Sequence, residues 1–486
     1  MMLRLFSTQS IKKAHYAHKA LGVCTAALLY LTCLTGTLSV FFEEFERWEQ
    51  PYINESLFYS PDQIHQAIRN FHKKVRQPPK TIWLVLPTPS MPRMHVSDGE
   101  HEWFVNGDGS LSESPAMAWT AMLTKLHMQL HLPENVGFIL VGVLGVLLCS
   151  LIISGFFAHP NIIKNAFHWR LGRPVLTQVD IHNRLSIWAL PFYLMSALSG
   201  AFIGLIGLFS VVSGFAFYGN DNDALLAKIF GDDPVVRESS HNLDFEKALN
   251  ELKNLASEAK PIYLAIHQID TDQQYFEIAA TLPQRLIYSE IYRFQADGVF
   301  IDKQGFSDGE GGRQVAYSLY RLHFGHYGGF VVKVAYGLLG LALTWTCASG
   351  INIWLARRKV VGPINDLWVA VVWGLPLALS ASALLSIFGL TPLGFFCVTE
   401  FLVVIFSLGL KNPHNSAWFI KAALVIVLGL IVVSQFFLVG LNTSVTAYYG
   451  VSAVILVSAL LMGASVFRQR YGVFNSAEAK KRLPNC

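Results

Sequence analysis

The sequence predicts a polytopic, all-α membrane protein with about eight transmembrane helices, a duplicated helix-pair core and two small α+β domains outside the membrane. Three observations predict this class. First, 52% of the 486 residues are hydrophobic, only 14% are charged, and the mean hydropathy is +0.40, which is too apolar for an ordinary soluble protein. Second, eight apolar stretches reach the roughly twenty residues that a spanning helix needs. Third, parts of this pattern occur twice.

The eight predicted spans fall into two groups. Long polar segments separate the first four spans, whereas short loops join the last four, which form an extension over residues 366–467. The spans cover residues 20–42, 135–158, 186–213, 329–355, 366–388, 391–410, 418–440 and 446–467. The first span is too long for a signal peptide, and no small-residue cleavage site precedes Glu43, so a membrane helix is expected.

Lysine and arginine residues near the span ends predict the orientation, because they are retained on the cytoplasmic side. With eight spans, every basic cluster falls on one side. The clusters are Arg4, Lys12, Lys13 and Lys19; Lys164, Arg170, Arg173 and Arg184; Arg357, Arg358 and Lys359; Lys411 and Lys421; and Arg468, Arg470, Lys480, Lys481 and Arg482. Residues 1–19, 159–185 and 468–486 are therefore expected in the cytoplasm. These signals explain the net charge of +4 without a nucleic-acid partner.

The polar segments 43–133 and 214–319 are each predicted to form a small domain with a helix followed by strands. Ser60-Pro61-Asp62 begins the first helix, and Asn242-Leu243-Asp244 begins the second. The predicted strands cover residues 81–86, 92–96 and 102–105 in the first segment, and 262–268, 275–280, 287–294 and 299–301 in the second. The shared order predicts two similar domains.

The repeated pattern in the apolar spans links histidines to glycines. His18 precedes Gly36 by eighteen residues, and His182 precedes Gly200 by the same number. A second pair of spacings, twenty-four residues each, runs from His131 to Gly155 and from His326 to Gly350. Internal repetition of this kind predicts a duplicated helix pair.

Several short motifs in this order resemble the PepSY-associated transmembrane family, the iron-regulated membrane proteins that include siderophore-iron reductases. The motifs are His18-Lys-Ala-Leu-Gly22 with Leu34-Thr35-Gly36, Leu126-His127 with Ser154-Gly155, His182-Asn-Arg-Leu-Ser186 with Leu198-Ser199-Gly200, and Leu322-His323-Phe-Gly325 with Gly328-Gly329. The external helices and the turn 106–109 resemble PepSY domains. The resemblance covers about residues 10–360 and implies an inner-membrane protein of iron acquisition, with haem held in a four-helix bundle. Spans five to eight depart from the shorter family members.

The histidines at the predicted membrane edges are the candidate haem ligands. A haem with two imidazole ligands carries electrons, and helix bundles hold such cofactors between facing helices. We predict that His18 and His182 form an inner ligand pair and that His127 and His323 form an outer pair. The gapless spacing instead favours His131 and His326 as outer ligands. Two haems of the b type are therefore expected.

Cations and glycines near these histidines each allow two interpretations. Lys19 and Arg184 are expected to pair with haem propionates, although topology and interfacial anchoring also account for them. The repeated glycines allow close helix packing, which is compatible with room for haem. In span six, Glu400 is either a proton or quinone contact or, more simply, a hydrogen-bond partner of Gln435.

The function predicted from the sequence is a haem-dependent oxidoreductase that moves electrons to the periplasm and reduces ferric siderophore or ferric iron. Since no Gly-x-Gly-x-x-Gly motif follows a strand, the expected electron donor is a quinol or a partner reductase. Two alternatives remain open: a non-enzymatic PepSY-type binding or regulatory protein anchored in the bilayer, and a permease component built from spans five to eight.

Overall fold

A computed structural model describes most of the chain. It covers residues 7–75, 79–159, 161–167, 174–219, 221, 224, 225, 231, 234–236, 242–358, 360–441 and 443–481, with side chains omitted for Pro174 and residues 471–481. Some of the predicted topology signals lie outside the described residues or side chains. These are Arg4, Arg170, Arg173, Lys359, Lys480, Lys481 and Arg482.

The described residues form sixteen α-helices, one π-helical turn and seven strands. The helices are α1 (Thr8–Ser39), α2 (Phe42–Glu49), α3 (Pro61–Lys74), α4 (Ala118–Gln129), α5 (Glu134–Ala158), α6 (Ile162–Asn165), α7 (Pro174–Trp188), α8 (Leu190–Phe217), α9 (Phe245–Leu255), α10 (Gly311–Phe324), α11 (Gly329–Ala356), α12 (Pro363–Val369), α13 (Leu375–Ser386), α14 (Pro392–Leu410), α15 (Pro413–Val439) and α16 (Thr446–Lys481), with the π-helical turn at Ala370–Gly374. The strands are β1 (Thr81–Val85), β2 (Met94–Ser97), β3 (Glu102–Val105), β4 (Lys260–His267), β5 (Tyr275–Thr281), β6 (Glu290–Gln295) and β7 (Phe300–Lys303).

Eight helical stretches within the described residues are long and apolar enough to cross a membrane, as the sequence predicts. They are α1, α5, α8, α11, the continuous stretch Pro363–Ser386, α14, α15 and the first part of α16. Local sequence explains their ends. Ser7 caps α1 by accepting a hydrogen bond from the backbone of Ser10, and Pro413 occupies the first turn of α15 after its cap, Asn412. The chain is therefore a multi-pass membrane protein.

The strands of both polar segments form one seven-stranded antiparallel sheet, not the two separate domains that the sequence predicts. The strand order is β3-β2-β1-β4-β5-β6-β7. The two segments join where β1 pairs with β4, and Leu84 lies opposite Leu264 in that register. Unpaired edge strands expose backbone groups that can pair with another strand. Joining the segments removes one edge from each.

The sheet has a repeated helix arrangement on its hydrophobic core. Helices α3 and α9 begin at the side-chain caps Ser60 and Asp244, both correctly predicted, and contribute Phe71 and Phe245 to the core. The turn glycines Gly109 and Gly298 both have φ of +78°. Their close approach to the first turns of α3 and α9 leaves no room for a Cβ. The predicted similarity of the two segments is thus visible as a repeat within one sheet.

Two compact units result from this chain path. One contains residues 1–51, 117–198 and 335–486, which include most of the membrane helices, and the other contains residues 52–116 and 199–334, which include the sheet. In the first unit, the C-terminal extension packs against the start of the chain. Tyr30 of α1 donates a hydrogen bond to the carbonyl of Val372 in the π-helical turn, with an O···O distance of 2.8 Å.

A cysteine pair at positions 83 and 265 tests the shared sheet. Trp83 on β1 lies directly opposite Ala265 on β4, so their Cβ atoms should lie within about 5.5 Å of each other. We expect Trp83→Cys with Ala265→Cys to form a disulfide under mild oxidation, seen as a shift on a non-reducing gel.

The matched control pairs Trp83→Cys with Glu277→Cys. Glu277 lies opposite Ala265 on the next strand, β5, which places it two strand spacings, about 9.6 Å, from Trp83. This distance is too long for a disulfide. Equal cross-linking of both pairs would contradict the register.

Candidate functional site

Each of the four predicted ligand histidines lies against a glycine of another helix. His18 contacts Gly155, His127 contacts Gly36, His182 contacts Gly350, and His323 contacts Gly200. A Cβ added to these glycines would lie 3.0, 2.5, 3.3 and 3.0 Å, respectively, from the nearest imidazole carbon, Cε1. Each glycine therefore leaves the space that the Cε1 edge of an imidazole ring occupies. All four rings are half-buried.

These contacts reveal how the repeat is built. Helix α1 contributes His18 to a contact with α5 and receives His127 of α4 at its own Gly36. The second copy has the same exchange, because His182 of α7 contacts α11 and His323 of α10 contacts α8. From the sequence alone, each histidine is paired with a glycine further along the same segment, because spacing along the chain is the only available information. In the fold, the partners are exchanged between neighbouring helices.

Backbone carbonyls fix the orientation of three of these rings. His18 Nδ1 lies 3.0 Å from the carbonyl oxygen of Leu151, and His127 Nδ1 lies 3.0 Å from that of Thr32. His182 Nδ1 lies 3.1 Å from the carbonyl oxygen of Thr346. In each case the carbonyl belongs to the residue four positions before the contacted glycine. Because a carbonyl only accepts hydrogen bonds, Nδ1 carries the proton and Nε2 of the neutral ring keeps its lone pair.

Hydroxyl groups next to the glycines give a second set of contacts. His18 Nδ1 lies 3.3 Å from the hydroxyl of Ser154, and His182 Nδ1 lies 3.0 Å from that of Ser349. His323 Nδ1 lies 2.9 Å from the hydroxyl of Ser199. Sequence reasoning noted the small residue before each glycine but assigned it no role toward histidine. The signal was the Ser/Thr-Gly dipeptide, which occurs at all four glycines.

His18 and His182 lie close together in the first unit. Removal from water, with a smaller contribution from nearby His18, lowers the pKa of His182 to about 4, so this ring is neutral at physiological pH. Within the described residues, no hydrogen bond is made by Nε2 of either histidine. Two neutral imidazoles with their Nε2 lone pairs unused are the donor set that binds a haem iron on both faces.

His127 and His323 lie in different units, and each is held by its own surroundings. His127 contacts α1 at Gly36 and Thr32. The helix that carries His323 is anchored by Arg321, which donates hydrogen bonds to the carbonyl oxygens of Arg285 and Ile287 over 2.7 and 2.9 Å. Pairing of these two histidines on one haem stays a prediction.

The alternative outer ligands have different contacts. His131 follows the end of α4 in a left-handed conformation with φ of +52°, and its Nε2 donates to the carbonyl oxygen of Met122 over 2.9 Å. This hydrogen bond occupies Nε2, the nitrogen that makes no hydrogen bond in His18 and His182 within the described residues. The ring of His326 packs 5.6 Å from that of Phe324, between centroids. The choice between His127 with His323 and His131 with His326 as outer ligands stays a prediction.

The two predicted propionate partners lie near the inner histidines in sequence and contact aromatic rings. Lys19 Nζ lies 5.8 Å from the ring centroid of Tyr16. Arg184 packs 5.2 Å from the ring of Trp188, and its Nε donates to the carbonyl oxygen of Ala166 over 3.1 Å. Such contacts are typical of interfacial anchors. A role toward haem propionates stays a prediction for both residues.

Glu400 does not make the expected hydrogen bond with Gln435. Its Oε2 atom is buried and has no hydrogen-bond partner within the described part of the chain. It faces Gly374 at the end of the π-helical turn, where an added Cβ would lie 2.7 Å from that oxygen. The carbonyl of Gln435 instead accepts a hydrogen bond from Tyr448. The simple bridging interpretation of Glu400 is therefore wrong.

The second unit contains a groove of about 390 Å³ between the N-terminal ends of α3 and α9. Its charged lining residues are Asp62, His65, Asp244, Glu246, Lys247 and Asp297. Four carboxylates thus face one lysine and one histidine. This balance of charge opposes a strongly anionic ligand.

Comparisons with known proteins match the part of the chain that contains these contacts. A family model described as the PepSY-associated TM region matches residues 15–357, a range that includes all four histidine–glycine contacts. An uncharacterized protein of Pseudomonas aeruginosa is 25% identical over 250 residues. That match covers 48% of this chain and 63% of the relative, so the aligned part is less than two thirds of the relative's length.

Proposed function

This chain belongs to the PepSY-associated transmembrane family, and we propose that it is a haem-carrying inner-membrane oxidoreductase that reduces ferric siderophore or ferric iron in the periplasm. In this proposal, both termini lie in the cytoplasm, and the seven-stranded sheet with α3 and α9 lies in the periplasm. The distribution of lysine and arginine supports this orientation.

One observation carries the proposal. Three of the four histidines donate Nδ1–H to a backbone carbonyl, and all four place the Cε1 edge of the ring against a glycine. Metal-ligating histidines use this arrangement, because a hydrogen bond at one nitrogen fixes the tautomer and aims the other nitrogen at the metal. A histidine that served only as a helix-end anchor would not need the same acceptor position three times. The repetition supports a ligand role.

The residues that would hold the cofactor follow from these contacts. His18 and His182 would hold the inner haem, and His127 with His323 would hold the outer one. When bound, haem supplies reversible one-electron transfer. The carbonyls of Leu151, Thr32 and Thr346 would keep the imidazoles of His18, His127 and His182 oriented. Burial lowers the pKa of His127 and His182, because an apolar environment disfavours the charged ring.

The proposed substrate is an iron(III) chelate that meets the seven-stranded sheet and its helices α3 and α9 in the periplasm. Reduction weakens such a chelate because iron(II) binds hard oxygen ligands less tightly. The groove between α3 and α9 is the candidate contact surface. Its four carboxylates favour a neutral or cationic chelate over an anionic one.

An absorption spectrum of the purified protein tests this function. We expect a Soret band and, after reduction with dithionite, a sharp α band, with about two haems per chain. The oxidised protein should accumulate again when ferric siderophore is added to the reduced form. A colourless protein from cells supplied with haem precursor would contradict the proposal and favour a binding or regulatory role. Transport of siderophore into vesicles without an electron donor would favour the permease alternative.

A further inference from the structure

A close-packed seam joins α1 to α11 in the first unit. Successive contacts along the seam are about one helical turn apart, and the two helices run antiparallel. Gly337 meets the ring of Phe41, Gly340 meets Thr37, and the hydroxyls of Thr37 and Thr344 lie 3.3 Å apart. An added Cβ at either glycine would lie 2.7 Å from its neighbour. The two backbones are therefore unusually close, as small residues allow in membrane helices.

The next turn of this seam brings two cysteines together. Cys33 of α1 and Cys347 of α11 have an Sγ–Sγ distance of 3.9 Å. Both belong to stretches that can span a membrane, and both are half-buried free thiols. Their surroundings include the apolar side chains of Ala189, Tyr193 and Leu343. The pair thus lies among apolar groups, and part of its surface remains exposed.

The cysteines are directly connected to the acceptors of two candidate haem ligands. Cys33 follows Thr32, whose carbonyl accepts the Nδ1 proton of His127, and Cys347 follows Thr346, whose carbonyl accepts that of His182. Tyr193 adds a hydrogen bond to the hydroxyl of Thr346 over 3.2 Å. Any covalent change at the thiols therefore acts on the helices that orient both histidines.

We propose that Cys33 and Cys347 form a reversible dithiol–disulfide centre in the membrane core and that its oxidant is a lipid-soluble quinone. Closure breaks the two S–H bonds and forms one S–S bond. The two electrons and two protons released reduce one quinone to its quinol. Because a disulfide needs sulfur atoms about 2.05 Å apart, each thiol has to move by only about 1 Å. Water-soluble disulfides are poor oxidants here because the apolar spans exclude them.

The centre would link α1 covalently to α11 next to Thr32 and Thr346. In the oxidised state, the distance between these two carbonyl acceptors would be restrained. In the reduced state, the same helices are joined only by packing. Disulfide closure involves only the two thiols and the quinone and does not require bound haem.

Thiol counting in bilayers tests the proposal. The protein carries Cys24→Ala, Cys149→Ala, Cys397→Ala and Cys486→Ala, so that only the native pair remains, and it is reconstituted into nanodiscs. After treatment with decylubiquinone, the protein is denatured and labelled with a polyethylene-glycol maleimide. We expect two adducts before quinone treatment, none afterwards, and two again after reduction with dithiothreitol. The same change is expected in the His18→Ala/His182→Ala background, which separates this result from the fate of the haem proposal.

A second pair controls for access to the seam. Thr37→Cys with Thr344→Cys, in a background with all native cysteines replaced, places two thiols one turn away, and their closure with quinone shows that oxidant reaches the folded seam. Two adducts that persist on the native pair after quinone treatment would overturn the proposal. Closure by glutathione disulfide as fast as by quinone would overturn the choice of oxidant.

Discussion

Replacing His182 with alanine is expected to lower the haem content of the purified protein by about half, because one of two bis-imidazole sites loses a ligand. The variant His18→Ala should have the same effect, and the double variant should lose no more haem than either single variant, since both residues serve one site. The pyridine haemochrome assay gives the haem-to-protein ratio. Reduced-minus-oxidised spectra then show whether the remaining haem keeps its low-spin α band.

Removing a hydrogen-bond partner of His182 is expected to weaken haem binding less than removing His182 itself. Ser349 lies 3.0 Å from Nδ1, so Ser349→Ala removes a contact that orients the ring without removing the ligand. Loss of such a supporting contact typically weakens metal binding by about 10- to 100-fold. Haem titration of the apo-protein measures this shift. Exogenous imidazole should restore the spectrum of His182→Ala but should leave that of Ser349→Ala unchanged.

His131→Ala is the matched control for the histidine variants. Its Nε2 is engaged with the carbonyl of Met122, so its loss should leave the haem content unchanged. Equal haem content in the wild type, His18→Ala and His182→Ala would show that these imidazoles are not ligands. Equal loss in His131→Ala would show that removal of any interfacial histidine damages the fold.

The sequence was sufficient to predict the spans and to single out histidines and glycines that come into contact, because apolar length and repetition are local properties. The role of these histidines as ligands stays a prediction. It could not predict which histidine meets which glycine. His18 and Gly36 share one helix, yet His18 contacts Gly155 and Gly36 receives His127. Which glycine a histidine meets depends on which helices pack together, and spacing along the chain carries no information about that. The same limit applies to the sheet, where pairing of β1 with β4 joins strands from two distant segments.

Two further features depend on tertiary structure alone. The hydrogen bonds from Nδ1 to Leu151 and Thr346 involve backbone carbonyls, which every residue has, so no residue type marks them. Cys33 and Cys347 are more than three hundred positions apart in the chain and have no spacing typical of a motif. Only the packing of α1 on α11 places their sulfur atoms 3.9 Å apart.

Substituting alanine at the four glycines is expected to produce a graded loss of haem that follows the distance from the added Cβ to the ring. At Gly36 the Cβ would lie 2.5 Å from Cε1 and 2.8 Å from Nδ1 of His127, so this ring has to move. Overpacking of this kind typically costs about 1–3 kcal/mol. At Gly350 the nearest ring atom is 3.3 Å away, so His182 can adjust by a small shift. Haem titration should therefore show the largest loss of affinity for Gly36→Ala and the smallest for Gly350→Ala.

Gly22→Ala on the same helix as Gly36 separates ring displacement from general effects of the substitution. Its Cβ would lie 3.7 Å from Leu151, an ordinary contact, and alanine favours a helix over glycine by about 1 kcal/mol. Haem binding by Gly22→Ala should therefore equal that of the wild type, while its thermal stability stays equal or rises. If Gly36→Ala bound haem as well as Gly22→Ala does, the glycine would serve helix packing and not the imidazole. If all four substitutions weakened haem binding equally, the distance to the ring would not be the cause. A graded series would instead tie the loss of cofactor to the displacement of one imidazole at a time.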